Sequence, residues 1–233
     1  MDAIILAGGL GTRLQPLVSD VPKSMAPVNQ KPFLEYLLNY LTGQDVTRVI
    51  LAVGYRQETI RAYFNEQFHH LPILYATEEE PLGTGGGILN AMKLAVTEQV
   101  LVLNGDSMFR IDLHSLTNIH QFNHADVTLA LKYMEDCSRY GSVLLDGQHR
   151  ITGFVEKGEE AAPGYINAGV YVFRKDFLLQ QGFSGKFSIE KDCFEKLYPE
   201  KLFYGHPLKG YFLDIGIPED YLRAQDQFRF YED

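Results

Sequence analysis

The chain has 233 residues, 45% of them hydrophobic and 22% charged, enough to bury one substantial α/β core and no reason to expect several domains. A net charge of -9, with 30 acidic residues against 21 basic ones and no concentration of Lys and Arg, excludes a nucleic-acid face and points to a small-molecule partner. Cys137 and Cys193 fit neither a disulfide framework nor a metal spacing, and no stretch nears the ~20 apolar residues of a membrane span; together with the lack of a basic leader this predicts a cytoplasmic protein with no membrane partner.

In chain order, Ile4, Ile5 and Leu6 form an apolar run short enough to be a buried strand. It breaks into Gly8, Gly9 and Gly11, where backbone can approach a ligand closely. Exposed N–H groups in such a loop can surround a polyphosphate, and Arg13 and Lys23 follow to add positive charge. A dinucleotide fingerprint would need glycine where Leu14 stands, and Gly-Lys-Ser/Thr occurs nowhere, so neither well-known glycine loop is present. Residues 33–41 have the spacing of an amphipathic helix, 48–54 of a buried strand, 57–68 of a helix, 71–77 of a strand, 86–95 of a helix, and 99–106 of a strand ending in Gly105 and Asp106. This alternation predicts a Rossmann-like, mostly parallel sheet with helices on both faces. The first loop, the GTGGG stretch and Asp106 all follow strands, so they should share the sheet edge where ligands bind.

The second half changes character. Residues 127–134, 141–146, 151–156 and 165–173 are strand-like, with a hairpin signal at Asp146-Gly147, which predicts a smaller antiparallel-rich lobe within one domain. Ser188 is a candidate cap for a helix with Glu190 and Asp192 in its first turn, and Pro218 with Glu219 and Asp220 opens a last helix. His120 and His124 share a helix face at i and i+4, but Gln121 stands where a metalloprotease needs Glu, so no metal role is assigned. Phe228, Phe230 and Tyr231 suit helix packing or a subunit contact, which leaves a homodimer open.

Residues 8–17 and 22–27, GGLGTRLQPL and PKSMAP, resemble the signature of the sugar-1-phosphate nucleotidyltransferases, GG-x-GTRL-x-P-L followed by PK-x-M-x-P. DIGIPEDY at 214–221 resembles that family's D-x-G-x-P-E-D-Y segment. The resemblance implies the nucleotidyltransferase fold, a nucleoside triphosphate and a sugar 1-phosphate as substrates, and Mg2+ as cofactor. No left-handed β-helix is expected after the last helix, although some members append one. Two carboxylates at strand ends suit a hard cation, and the family pattern assigns Asp106 and Asp214 to the metal. Arg13 and Lys23 become the catalytic cations. Leu6, Ala7, Gly8, Gly9, Gly11 and Thr12 would line the nucleotide.

EEEPLGTGGGI at 78–88 corresponds to the family's base-reading stretch, with Glu78, Pro81, Gly83 and Thr84 as its contacts. Small residues there would let a nucleobase lie against backbone. Uridylyl and thymidylyl relatives often carry Gln where this chain has Glu78. A carboxylate only accepts, which suits the adjacent N1–H and N2–H2 donors of guanine and suits uracil poorly, so GTP is the expected triphosphate. By the same resemblance Asn104, Gly105, Gly141, Glu156, Lys157, Asn167 and Gly169 would face the sugar phosphate. N-acetylmuramate, mannose and glucose 1-phosphates remain open as substrates, and so does a non-catalytic nucleotide-sugar sensor on the same fold.

Overall fold

The structure is a computed structural model, and it describes residues 1–9, 11, 14, 17–18, 21–158 and 161–228. The first half runs β1 (Asp2–Leu6), a short hairpin of β2 (Pro27–Val28) and β3 (Lys31–Pro32), α1 (Phe33–Thr42), β4 (Arg48–Val53), α2 (Gln57–Phe64), β5 (Gln67–Phe68), β6 (Leu71–Thr77), α3 (Gly83–Met92) and β7 (Gln99–Asn104). The second runs β8 (Ser107–Arg110), α4 (Leu113–Phe122), β9 (Val127–Met134), β10 (Ser142–Leu145), β11 (Ile151–Val155), β12 (Gly164–Arg174) and α5 (Lys175–Gln180). A π-helical stretch (Ile189–Phe194) then continues into α6 (Glu195–Leu197), followed by β13 (Phe203–Pro207), β14 (Tyr211–Asp214) and α7 (Pro218–Gln227).

Eight strands make the main sheet, in the order β13-β9-β12-β7-β1-β4-β6-β5. β1 pairs in parallel with β4 and β7, and β4 with β6. The helical crossovers between these strands cover both faces, as parallel connections require. Side chains alternate accordingly: Ala3, Ile5, Val49, Leu51, Leu101 and Leu103 join the core under α1, while Ile4, Ile50, Ala52, Val100 and Val102 join the core under α3. Both faces being covered is why these strands are apolar throughout.

The antiparallel-rich second half is built onto one side of the same sheet. β12 runs antiparallel to both β7 and β9, and β10 with β11 forms a separate hairpin. The turn at Asp146 is held by its carboxylate, which accepts from Gln148 and Arg150 N–H at 2.8 and 2.9 Å.

Several boundaries differ from the sequence expectation. The helix begun at 57 stops at Phe64, because Asn65 adopts a positive φ of 52° and the chain turns into the β5–β6 hairpin. The glycine helix begins at Gly83 rather than 86. The strand expected over 99–106 ends at Asn104, and β8 follows the turn at Gly105 and Asp106. α4 ends at Phe122 and His124 lies beyond it with φ 47°, so the two histidines do not share a helix face. His120 is instead buried, its Nδ1 3.0 Å from the Thr128 hydroxyl. Phe228 packs against Phe33 and Tyr36; Phe230 and Tyr231 lie outside the described residues.

Candidate active site

The C-terminal ends of β1, β4, β6 and β7 meet around a cavity of about 490 Å3. Leu6, Ala7, Gly8 and Gly9 line it from β1, Gly54 and Tyr55 from β4, Glu78, Glu79, Glu80 and Pro81 from β6, Gly83 and Thr84 from α3, and Asn104, Gly105 and Asp106 from β7. The shared sheet edge expected from the sequence is therefore present. Close backbone approach explains two of its glycines: a Cβ on Gly105 would stand 2.3 Å from the Leu6 carbonyl oxygen, and one on Gly8 2.9 Å from the Gly54 nitrogen.

Lys23 begins a short 3-10 turn, Lys23–Met25. The turn is fixed to the end of β1 because the buried Ser24 hydroxyl donates to the Ala7 carbonyl at 3.1 Å. The Lys23 ammonium donates to Asp106 and stands 4.0 Å from Asp214. β14 carries Asp214 there by pairing antiparallel with β8, Asp214 opposite Ser107, and the Ile215 N–H donates to the Asp106 carbonyl at 2.9 Å. Two carboxylates from distant parts of the sequence thus share one cation. That donor set fits a hard divalent cation, whose remaining ligands would be water and phosphate oxygens. Thr12 and Arg13 lie outside the described residues; Gly11 has a positive φ of 60° and packs against Lys23.

Glu78 is half-buried. One of its carboxylate oxygens accepts from the Leu82 N–H at 3.0 Å, and the other would be 2.6 Å from a Cβ on Gly87. The carboxylate therefore sits at the N-terminus of α3, where the helix dipole favours it. Burial pushes its pKa above the usual carboxyl value, opposed by the Leu82 hydrogen bond. Glu79 and Glu80 are exposed at the same cavity.

The glycines of GTGGG serve a packing purpose that the sequence reading missed. Cβ atoms on Gly83, Gly85 and Gly86 would stand 2.6 Å from the Phe187 carbonyl oxygen, 2.2 Å from the Phe187 ring and 2.6 Å from the Gly185 carbonyl oxygen. Gly85 N–H donates to Phe187 O at 3.0 Å, and Phe187 N–H donates back to Leu82 O at 3.0 Å. Nor is the Thr84 hydroxyl spare: it donates to Glu190 at 2.8 Å and accepts from Ile189 N–H at 2.9 Å. The helix is thereby tied to the π-helical stretch, whose expected Ser188 cap is present, accepting from Lys191 N–H at 3.2 Å.

The residues assigned to the sugar phosphate fall into two groups, and of these only Asn104 and Gly105 line the cavity. Asn167 and Gly169 lie on a bulge of β12: Asn167 accepts from Gly169 N–H at 3.0 Å and donates to the Tyr171 hydroxyl at 3.0 Å. A Cβ on Gly169 would touch the Asn104 amide, whose Oδ1 is buried with no hydrogen-bond partner among the described residues. Gly141 lets the 139–141 turn lie on the end of β11, its added Cβ falling 2.4 Å from Val155 O and 3.1 Å from Lys157 N. Glu156 and Lys157 are exposed there, with Glu156 3.9 Å from the Lys191 ammonium. Tyr55, Gly54 and Ser24 were not foreseen. The signal was available for the first two, since Gly54-Tyr55 follows an apolar strand on the ligand-binding edge just as Gly8 does.

A family model described as Nucleotidyl transferase matches residues 2–229. The chain is 46% identical over 231 residues to a D-glycero-alpha-D-manno-heptose 1-phosphate guanylyltransferase of Aneurinibacillus thermoaerophilus, covering 99% of this chain and 100% of that one. It is 44% identical over 224 residues to the enzyme of the same name from Campylobacter jejuni, covering 95% and 97%. Among solved structures, HddC from Yersinia pseudotuberculosis superposes with a TM-score of 0.86 at 36% identity, covering 97% of this chain and 99% of that one, and it has also been crystallised with GMP-PN.

Proposed function

Because the chain belongs to the nucleotidyl transferase family, we propose its function from that chemistry. It is a sugar-1-phosphate guanylyltransferase that converts GTP and D-glycero-α-D-manno-heptose 1-phosphate into the GDP-heptose and pyrophosphate. The observation that carries this reading is one cavity lined by the acceptor Glu78 and by Lys23 with Asp106, so that a purine and its phosphates have matching partners within a single site. A phosphate oxygen of the sugar 1-phosphate would attack the α-phosphorus in line, the bond to the β-phosphate oxygen would break, and pyrophosphate would leave.

Catalysis of this kind is positioning and charge neutralisation. The N–H groups of the first loop would hold the triphosphate, Lys23 would meet the charge at the α-phosphate, and Arg13 would hold the β- and γ-phosphates as they depart. Glu78 would accept from guanine N1–H and N2–H2. The unpartnered Asn104 Oδ1 would accept from a sugar hydroxyl, with Gly105, Gly169 and Asn167 shaping that side, and Glu156, Lys157 and Gly141 would receive the rest of the sugar phosphate. Asp106 and Asp214 would hold Mg2+, which supplies Lewis-acid neutralisation of phosphate charge. The product would serve bacterial surface polysaccharide synthesis from the cytoplasm. Phosphorus NMR of the purified enzyme with GTP, Mg2+ and the heptose 1-phosphate tests the reading: equal growth of pyrophosphate and a sugar diphosphate supports it. Turnover with mannose or glucose 1-phosphate but none with the heptose would reassign the sugar.

A further inference from the structure

Lys23 lies in the niche between two carboxylates, and its own side chain is largely enclosed there while Asp106 still faces the cavity. Its ammonium donates to Asp106 and stands 4.0 Å from Asp214, with the side chain only 10% exposed. A Cβ on Gly216 would come within 3.1 Å of its Nζ, and one on Gly11 within 2.7 Å of its Cβ. The Ser24–Ala7 hydrogen bond fixes the backbone from which it reaches. An ammonium so placed cancels one unit of the charge that makes the niche attractive to a divalent cation, and repels an ion entering it. The same side chain would meet the α-phosphate during catalysis, and moving there takes it out from between the carboxylates. We propose that Lys23 is a tethered cation that keeps free divalent metal out of the Asp106–Asp214 niche until a triphosphate draws the ammonium away, so that metal and nucleotide bind together. For its ligands the proposal rests on the guanylyltransferase reading, and it is independent of the sugar.

The test is Mn2+ binding followed by loss of the free-ion EPR signal, in the absence of nucleotide. Wild type should bind weakly. Lys23→Met, which keeps the length and removes the charge, should bind about tenfold more tightly or better, and Mn2+ should raise its Tm more than it raises that of the wild type. Lys23→Arg retains a cation and is the gentler change for folding; it should bind Mn2+ no more tightly than wild type. Binding is reciprocal between two ligands, so Mn2+ should tighten a non-hydrolysable GTP analogue by a larger factor in wild type than in Lys23→Met. Equal Mn2+ affinity in wild type and Lys23→Met, tighter binding by Lys23→Arg, or an equal tightening factor would each overturn the proposal. Failure of the wild type to release pyrophosphate from GTP and any sugar 1-phosphate would instead overturn the functional reading, whatever the Mn2+ data show.

Discussion

In the proposed reading the base preference turns on Glu78, and its neighbours make that role testable. The carboxylate is anchored by the Leu82 N–H, so it is pre-oriented rather than searching for its partner. Replacing it with Gln exchanges one acceptor for a donor; Glu78→Gln should lower kcat/KM for GTP by roughly tenfold to a hundredfold and narrow the discrimination against UTP. Glu80 lines the same cavity two residues on, and a loss confined to Glu80→Gln would move the contact there. Because burial raises the Glu78 pKa, the carboxylate protonates at a higher pH than an ordinary one, and the protonated form turns an O–H toward a donor edge. The kcat/KM for GTP should therefore fall as pH drops through that raised value, and the fall should be absent in Glu78→Gln. At the opposite end of the substrate, Asp106→Asn and Asp214→Asn should each reduce kcat by about a hundredfold or more with circular dichroism unchanged. Near-normal turnover in either at saturating Mg2+ would remove that residue from the proposed metal site.

At the scale of elements, the contact between α3 and the 183–189 segment holds one wall of the cavity. Gly83 has a positive φ of 71° and no room for a Cβ against the Phe187 carbonyl. Gly83→Ala should cost about 1–3 kcal/mol in urea unfolding and raise KM for GTP, whereas a variant as stable as wild type would show that the wall can shift. α4 and β9 are joined by another such contact, where burial lowers the His120 pKa to about 4. The unfolded chain then binds a proton that the folded one does not as pH falls from about 6.5 towards 4, so stability drops across that window and is fully present above it. The loss should be of order 3 kcal/mol, visible as a falling Tm between pH 7 and 5 that largely disappears in His120→Asn.

Over the whole molecule, what was legible in the sequence was what local pattern encodes. Apolar runs alternating with helical spacing gave the parallel half of the sheet, and glycines or an aspartate directly after those runs gave the cavity edge. What escaped depended on partners far away in the chain. β13 is placed by parallel pairing with β9, some 75 residues earlier in sequence, and its FYGHP carries no alternation of its own. The crowding of Gly83, Gly85 and Gly86 comes from Phe187 and Gly185, about a hundred residues on, so in the sequence those glycines read as a base platform and their packing surface went unseen. Lys23 was legible as a candidate phosphate ligand, but its seat between Asp106 and Asp214 was not, because only the pairing of β14 with β8 brings the second carboxylate there. The claim that joins these levels is guanylyl transfer, and the most direct measurement is kcat/KM for pyrophosphate release by the wild-type protein with GTP, UTP, CTP, dTTP and ATP, each at one fixed concentration of the heptose 1-phosphate. The account predicts GTP ahead of every other triphosphate by roughly tenfold to over a hundredfold; a preference for UTP or ATP, or equal use of all five, would contradict it.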